Sequence, residues 1–185
     1  PNVFDKRRGT ISLWFYRGFE YSGSAEQGLF DASVTWNSND QFGAWVSGNN
    51  LAFRISGKNS TGPVVPLGQW SHAAFVWDRD AGYFQCYLNG EPGSVGVYDT
   101  SPTLLPEIHL GILRSLNNRY LNDCMDDFMI TDRALSESEI RAIYESGAPM
   151  NIRKGPFDLY LGGGTSGGWI VGNGDGLAGY SADGT

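Results

Sequence analysis

Apolar and polar residues alternate over short runs along most of this chain, the period of strands half-buried in a sheet. In residues 9–19, Ile11, Leu13 and Phe15 alternate with Ser12, Trp14 and Tyr16, which suits an inner strand. Further strand candidates follow at residues 28–33, 41–47, 50–56, 70–78, 83–88 and 107–113, separated by turn-rich pieces at 48–50, 58–62, 78–82 and 89–90. The period changes once. Cys124, Asp126, Phe128 and Ile130 alternate with Met125, Asp127 and Met129, and then Ser136 stands three residues before Glu139, the spacing of a capping box. Leu135, Ile140, Ile143 and Tyr144 form an apolar stripe, and Gly147 is placed to end the helix with a positive φ. The pattern predicts a helix over residues 136–146, with Phe128, Ile130, Ile140 and Tyr144 packing the closing strand to it. Many short strands and one late helix make an all-β fold, a two-sheet antiparallel sandwich with one short C-terminal helix. The chain has no internal repeat and no heptad.

The closing stretch from Tyr120 to Gly147, with its acidic pair inside an apolar strand and then Leu135, Glu139-Ile140, Tyr144 and Gly147, resembles the C-terminal signature of the laminin-G-like jelly rolls. These belong to the concanavalin A-like lectin and glucanase superfamily. Residues 67–92, in which Trp70 and His72 open a strand and Tyr87-Leu88-Asn89-Gly90 end its return, are similar to that family's central hairpin. Leu29-Phe30-Asp31 resembles its early strand end. Together these pieces cover residues 9–147, and the resemblance implies a jelly-roll sandwich over residues 1–148.

Composition changes at that boundary. Residues 161–185 carry ten glycines, which disfavours a helix or a packed central strand. Residues 149–185 therefore read as a Gly-rich arm, a linker or the start of a following segment. A solvated linker has little reason to carry Trp169, Ile170, Val171 and Leu177, so docking or assembly of the arm through these side chains is the favoured expectation. The chain begins at Pro1 without Met and stops within glycine-rich sequence, which reads as a processed product or excised fragment.

A net charge of −7 argues against nucleic acid, since binding phosphates needs a concentrated basic patch and Lys6-Arg7-Arg8 is too short. No apolar run approaches the roughly 18 residues of a membrane span. Cys86 and Cys124, with 37 residues between them, leave two readings open. One is a disulfide contributing roughly 3 to 4 kcal/mol, and the other is two buried thiols acting as small hydrophobes.

The superfamily's glucanases set acids in an E-x-D-x-x-E strand pattern, and this chain has none. Its two histidines, His72 and His109, stand near no G-x-S-x-G motif, and there is no phosphate loop or dinucleotide fingerprint. Enzymatic activity is not expected. The resemblance implies Ca²⁺ near the sandwich rim as a possible cofactor, with oxygen ligands expected among Asp31, Asp78, Asp80, Asn122 and Asp123. Paired metal-ligand spacing for zinc is absent. Polar loops with aromatics, at Trp36, Tyr98, and Asn117, Asn118 and Tyr120, are the candidate sugar contacts. Asn59-Ser60-Thr61 matches a glycosylation acceptor.

The resemblance thus implies a non-catalytic recognition or adhesion module, outside a cell or on a cell or virion surface, with a glycan or protein surface as partner. The alternative is a structural subunit of a fibre, virion or large secreted protein whose arm serves self-assembly or contact with neighbouring domains.

Overall fold

The computed structural model describes residues 5–18, 26–35, 40–113, 119–121 and 123–147, with the backbone of residues 157–160, 169–173 and 176–180. Ten strands precede Ala148: β1 Arg8–Arg17, β2 Gln27–Ser33, β3 Phe42–Ser47, β4 Asn50–Ile55, β5 Lys58–Val64, β6 Gln69–Asp78, β7 Tyr83–Leu88, β8 Glu91–Val97, β9 Leu104–Leu110 and β10 Met125–Thr131. They form two five-stranded antiparallel sheets, ordered β10-β1-β6-β7-β8 and β5-β4-β3-β2-β9. This is the all-β two-sheet sandwich that the alternation predicts.

The inner faces meet in an aromatic centre. Ile11, Leu13, Phe15, Phe75, Trp77 and Phe84 project from the first sheet, and Phe30, Phe42 and Phe53 from the second, all fully enclosed. The rings meet edge to face: Phe42 lies 5.1 Å from Trp77 and 5.5 Å from Phe53, and Phe53 lies 5.3 Å from Phe84. Each such pair contributes about 0.5–1.5 kcal/mol beyond its burial. Trp77 reaches out of the core far enough for Nε1 to donate to the Asp5 carbonyl at 2.8 Å.

One strand stands where a turn was expected and another in residues left unassigned. Residues 58–62 belong to β5, because the turn sits earlier: Ile55 pairs with Lys58 across Ser56 and Gly57, whose φ values are +45° and +78°. In the same way Leu88 pairs with Glu91 across Asn89 and Gly90, at +52° and +80°, and starts β8. Both are two-residue hairpin reversals needing positive φ twice. Strand β9 begins three residues before its expected start at 107 and ends at Leu110.

The closing strand contains the main departure. Along β10, Ser12 pairs with Met129 but Trp14 pairs with Asp126, so β10 has one residue too many for β1. The excess is a β-bulge at Asp127, whose φ is +48°. The bulge resets the alternation, so Met125 and Ile130 both pack on the main core while Met129 faces outward. Phe128 stays 36% exposed. The expected grouping of Phe128 and Ile130 with Ile140 and Tyr144 is therefore corrected: Met129 is the strand residue that meets the helix.

Helix α1, Glu137–Glu145, lies on the outer face of the first sheet. Its capping box forms as the sequence predicts: the Ser136 side chain accepts from the Glu139 N–H at 3.3 Å, and the Glu139 carboxylate accepts from the Ser136 N–H at 2.8 Å. Ile140 is fully buried among Ala74, Val76, Tyr87 and Leu135. Thr10 pins the lead-in, with Oγ1 donating to the Arg133 carbonyl at 2.8 Å and accepting from the Leu135 N–H at 3.0 Å. Gly147 follows at φ +129°.

The chain divides into two compact units, Pro1–Ala148 and Pro149–Thr185. In the second, β11 Phe157–Tyr160, β12 Trp169–Asn173 and β13 Gly176–Tyr180 form an antiparallel sheet in that order. Although glycine-rich sequence disfavours a central strand, β12 holds that position in this sheet. Trp169, Ile170 and Val171 lie on β12 and Leu177 on β13, where Ile170 pairs with Leu159 and Gly179. The sequence carried a signal for this hairpin in Asn173-Gly174-Asp175-Gly176.

Candidate ligand-binding site

Register and the helix together assemble an aromatic groove on the outer face of the first sheet. In β1, Trp14 and Tyr16 point away from the core that holds Leu13 and Phe15. Their antiparallel partners in β6 are His72 and Trp70, so four rings stand side by side on one face. Tyr144 descends onto them from α1, 5.9 Å from Trp14 and 6.2 Å from His72 between ring centroids. Tyr16 and Trp70 pack edge to face at 5.9 Å. The resulting groove, about 400 Å³ and lined by Trp14, Trp70, Tyr144 and Glu145, has the size of a small-ligand site. Trp70 and Tyr144 are half-buried, and Glu145 is exposed at the mouth. Aromatic walls with one carboxylate offer faces to C–H groups and an acceptor to hydroxyls or a cation.

His72 packs against Trp14 and Tyr144. It is fully buried, 2.7 Å from Ser12 Oγ through Nε2 and 5.3 Å from the Trp14 ring, with no hydrogen-bond partner for Nδ1 among the described residues. Burial lowers its pKa to about 4, so the ring is neutral near pH 7. A serine beside a histidine has the outline of a nucleophile and base. Here Ser12 is 3% exposed and lies beneath the helix layer, where a substrate has no approach.

The residues singled out from sequence are scattered. Trp36, Asn117, Asn118 and Asn122 lie outside the described residues. Tyr98 is corrected: it is 1% exposed, packed edge-on to Phe84 with its hydroxyl donating to the Lys6 carbonyl at 2.5 Å, and leaves no ring face for a sugar. The alternation of exposed Val95 and Val97 with buried Gly96 and Tyr98 carried this signal. Tyr120 is 47% exposed and bridges Ile112, and it is not among the residues that line the aromatic groove.

The acids do not converge on an ion. Asp31 is buried, with Oδ1 accepting from the Ser33 N–H at 2.8 Å. Asp78 caps a turn, accepting from the N–H groups of Asp80 and Ala81 at 2.9 and 3.0 Å. Asp80 pairs with Arg7 at 2.8 Å, and Asp123 accepts from the Gly18 N–H at 2.9 Å. Among the described residues no three His, Cys, Asp or Glu side chains are grouped to hold a metal, and these carboxylates do not fit a shared Ca²⁺.

The disulfide reading is corrected as well: both cysteines are free thiols, Cys86 buried and Cys124 exposed. Cys86 lies on β7 and Cys124 just before β10, with β1 and β6 between those strands. Three strand spacings of about 4.8 Å put the two near 14 Å apart or more, beyond a disulfide's Cα reach of about 7 Å. Residues Trp14, Trp70 and Tyr144 were missed as a group because only register and helix docking unite them.

No helix of the described residues is long and apolar enough to cross a membrane. The chain is 30% identical over 128 residues to the pentraxin-related protein PTX3 of Mus musculus, covering 62% of this chain and 33% of that protein. It therefore spans about a third of that relative's length. Among solved structures, it superposes on a botulinum neurotoxin serotype D binding domain with a TM-score of 0.59, at 17% identity over 90% of this chain and 42% of that one. It superposes on a Ruminococcus gnavus sialidase CBM40 bound to α2,3-sialyllactose with a TM-score of 0.57, at 15% identity over 75% and 83%. A family model, that of the concanavalin A-like lectin/glucanases superfamily (laminin G type), matches residues 1–141. With its jelly-roll sandwich and that match over most of its length, the chain belongs to the laminin G-like family of the concanavalin A-like superfamily.

Proposed function

We propose that this chain is a non-catalytic recognition module that works outside the cell and binds a glycan in the groove of Trp14, Trp70, Tyr144 and Glu145. The observation that carries the reading is the half-buried Trp70 and Tyr144 beside the exposed Glu145 carboxylate, in a groove of about 400 Å³. A sugar ring has apolar C–H faces and a rim of hydroxyls, which match aromatic walls and a carboxylate acceptor. Superfamily membership and a structural neighbour holding sialyllactose support a glycan as the ligand class. The pentraxin-related relative supports an extracellular setting. A binding role also suits the sealed Ser12–His72 pair and the dispersed acids, which leave the groove without an assembled nucleophile and base.

Glycan-array binding by the full chain, repeated with Trp70→Ala, tests this. We expect glycan signals that fall at least about tenfold in the variant, as expected for a lost aromatic contact. Equal signals for both proteins, with the variant folded by circular dichroism, would move the ligand elsewhere.

A further inference from the structure

The two flanks of the sandwich are built differently. On one, β5 and β8 close together: a Cβ on Gly93 would stand 2.6 Å from the Thr61 carbonyl oxygen. Ser94 binds across that seam, its carbonyl accepting from Ser60 Oγ at 2.5 Å and its Oγ from the Thr61 N–H at 2.9 Å. On the other flank β9 and β10 end their sheets, each hydrogen-bonded to a strand on one side only among the described residues. A groove of about 470 Å³ lies there, with Leu110, Leu121, Met125 and Phe128 among its apolar walls. Leu110 is 46% exposed and Phe128 36%. Asp123, Asp126 and Asp127 line the same groove. Their hydrogen bonds come from backbone N–H groups, Gly18 to Asp123 and Asp127 to Asp126, and no Lys or Arg among the described residues forms an ion pair with any of the three.

We propose that this groove receives an extended basic segment of a partner protein, with Lys or Arg side chains against Asp126 and Asp127 and apolar ones against Leu110 and Phe128. Two features select that occupant. Edge strands present rows of N–H and C=O groups that only another extended backbone can match along their length. Three carboxylates that form no ion pair with any described Lys or Arg select cationic side chains and disfavour a second copy of this chain, whose own net charge is −7. The site shares no lining residue with the aromatic groove, which is lined by Trp14, Trp70, Tyr144 and Glu145.

The test uses the 185-residue chain and two fluorescent hexapeptides, Lys-Val-Lys-Leu-Lys-Val and Glu-Val-Glu-Leu-Glu-Val, in anisotropy titrations at low and moderate salt. The basic peptide should bind and the acidic one should not, with affinity falling as salt rises. The double variant Asp126→Asn, Asp127→Asn keeps shape and tolerates the positive φ at 127, and it should weaken binding by about tenfold. Trp70→Ala should leave peptide affinity within about twofold, which separates this proposal from glycan binding. Bound peptide should also slow amide exchange in Leu104–Leu110 or Met125–Thr131. Equal binding of both peptides, an unaffected double variant, or sedimentation showing that a second copy fills the groove would overturn the proposal.

Discussion

Asp127 determines which way half of β10 faces. With φ at +48° it absorbs the extra residue, so Met129 turns to the helix and Ile130 to the core. Asp127→Val puts a β-branched side chain at positive φ and should cost about 1–3 kcal/mol in denaturant unfolding, whereas Asp127→Asn should stay close to wild type. Reading alternation straight through this position put Asp126 on one face with Phe128 and Ile130, because one residue at positive φ shifts parity for everything after it. His72 is a second residue with consequences beyond its size. Its pKa falls to about 4 in the folded chain against about 6.5 in a free histidine. Between those values the unfolded state binds the extra proton, so native stability declines as pH drops from 6.5 towards 4, by up to about 1.4 kcal/mol per pH unit. His72→Gln retains a partner for Ser12 and removes the titration, so its urea-unfolding free energy should decline less over that range. Parallel curves would remove His72 as a source. Asp78→Ala should lose about 1 kcal/mol through its turn, equally in chelator and in millimolar calcium. A loss confined to calcium would make Asp78 a metal ligand.

Among the elements, α1 was the most legible in sequence, because its signals are local. Ser136 and Glu139 make the cap by themselves, and the stripe through Ile140 identifies the buried face without knowledge of the partner. Ile140→Ala should cost about 2–4 kcal/mol in thermal or urea unfolding, as for other enclosed aliphatic side chains. A loss near zero would mean that the helix does not anchor the sheet. Strands β5 and β8 were less legible. Their reversals take only Ser56-Gly57 and Asn89-Gly90, and the polar residues after each were read as more turn or left unassigned. Those residues are polar or small because they sit at a sheet edge, and Gly96 in particular leaves room for the Phe84 ring, 2.3 Å from where a Cβ would stand. The aromatic groove was invisible for a different reason. Trp14 and Trp70 are 56 positions apart and Tyr144 lies 74 beyond Trp70 (70 − 14 and 144 − 70), so only register and the docking of the helix make them neighbours.

For the whole sandwich, the seam between β5 and β8 is the place where backbone crowding sets the distance between sheets. Gly93→Ala should force that seam apart and cost about 1–3 kcal/mol, seen as a lower denaturant midpoint with an unchanged slope. The fold class was legible at this scale because strand count, turn spacing and the closing motif agree. The two grooves were not, since they arise where separate strands and the helix meet. The two cysteines give the molecule a built-in reporter. Burial pushes the Cys86 thiol up to about 11, and its backbone N–H is held by Ser60 Oγ at 3.0 Å, so alkylation there must wait for the sandwich to open. Cys124 is exposed between Asp123 and Met125, both in the wall of the open-flank groove. A maleimide dye on the native chain should therefore attach at Cys124 alone and sense occupancy of that groove, while slow labelling of Cys86 times the opening of the core.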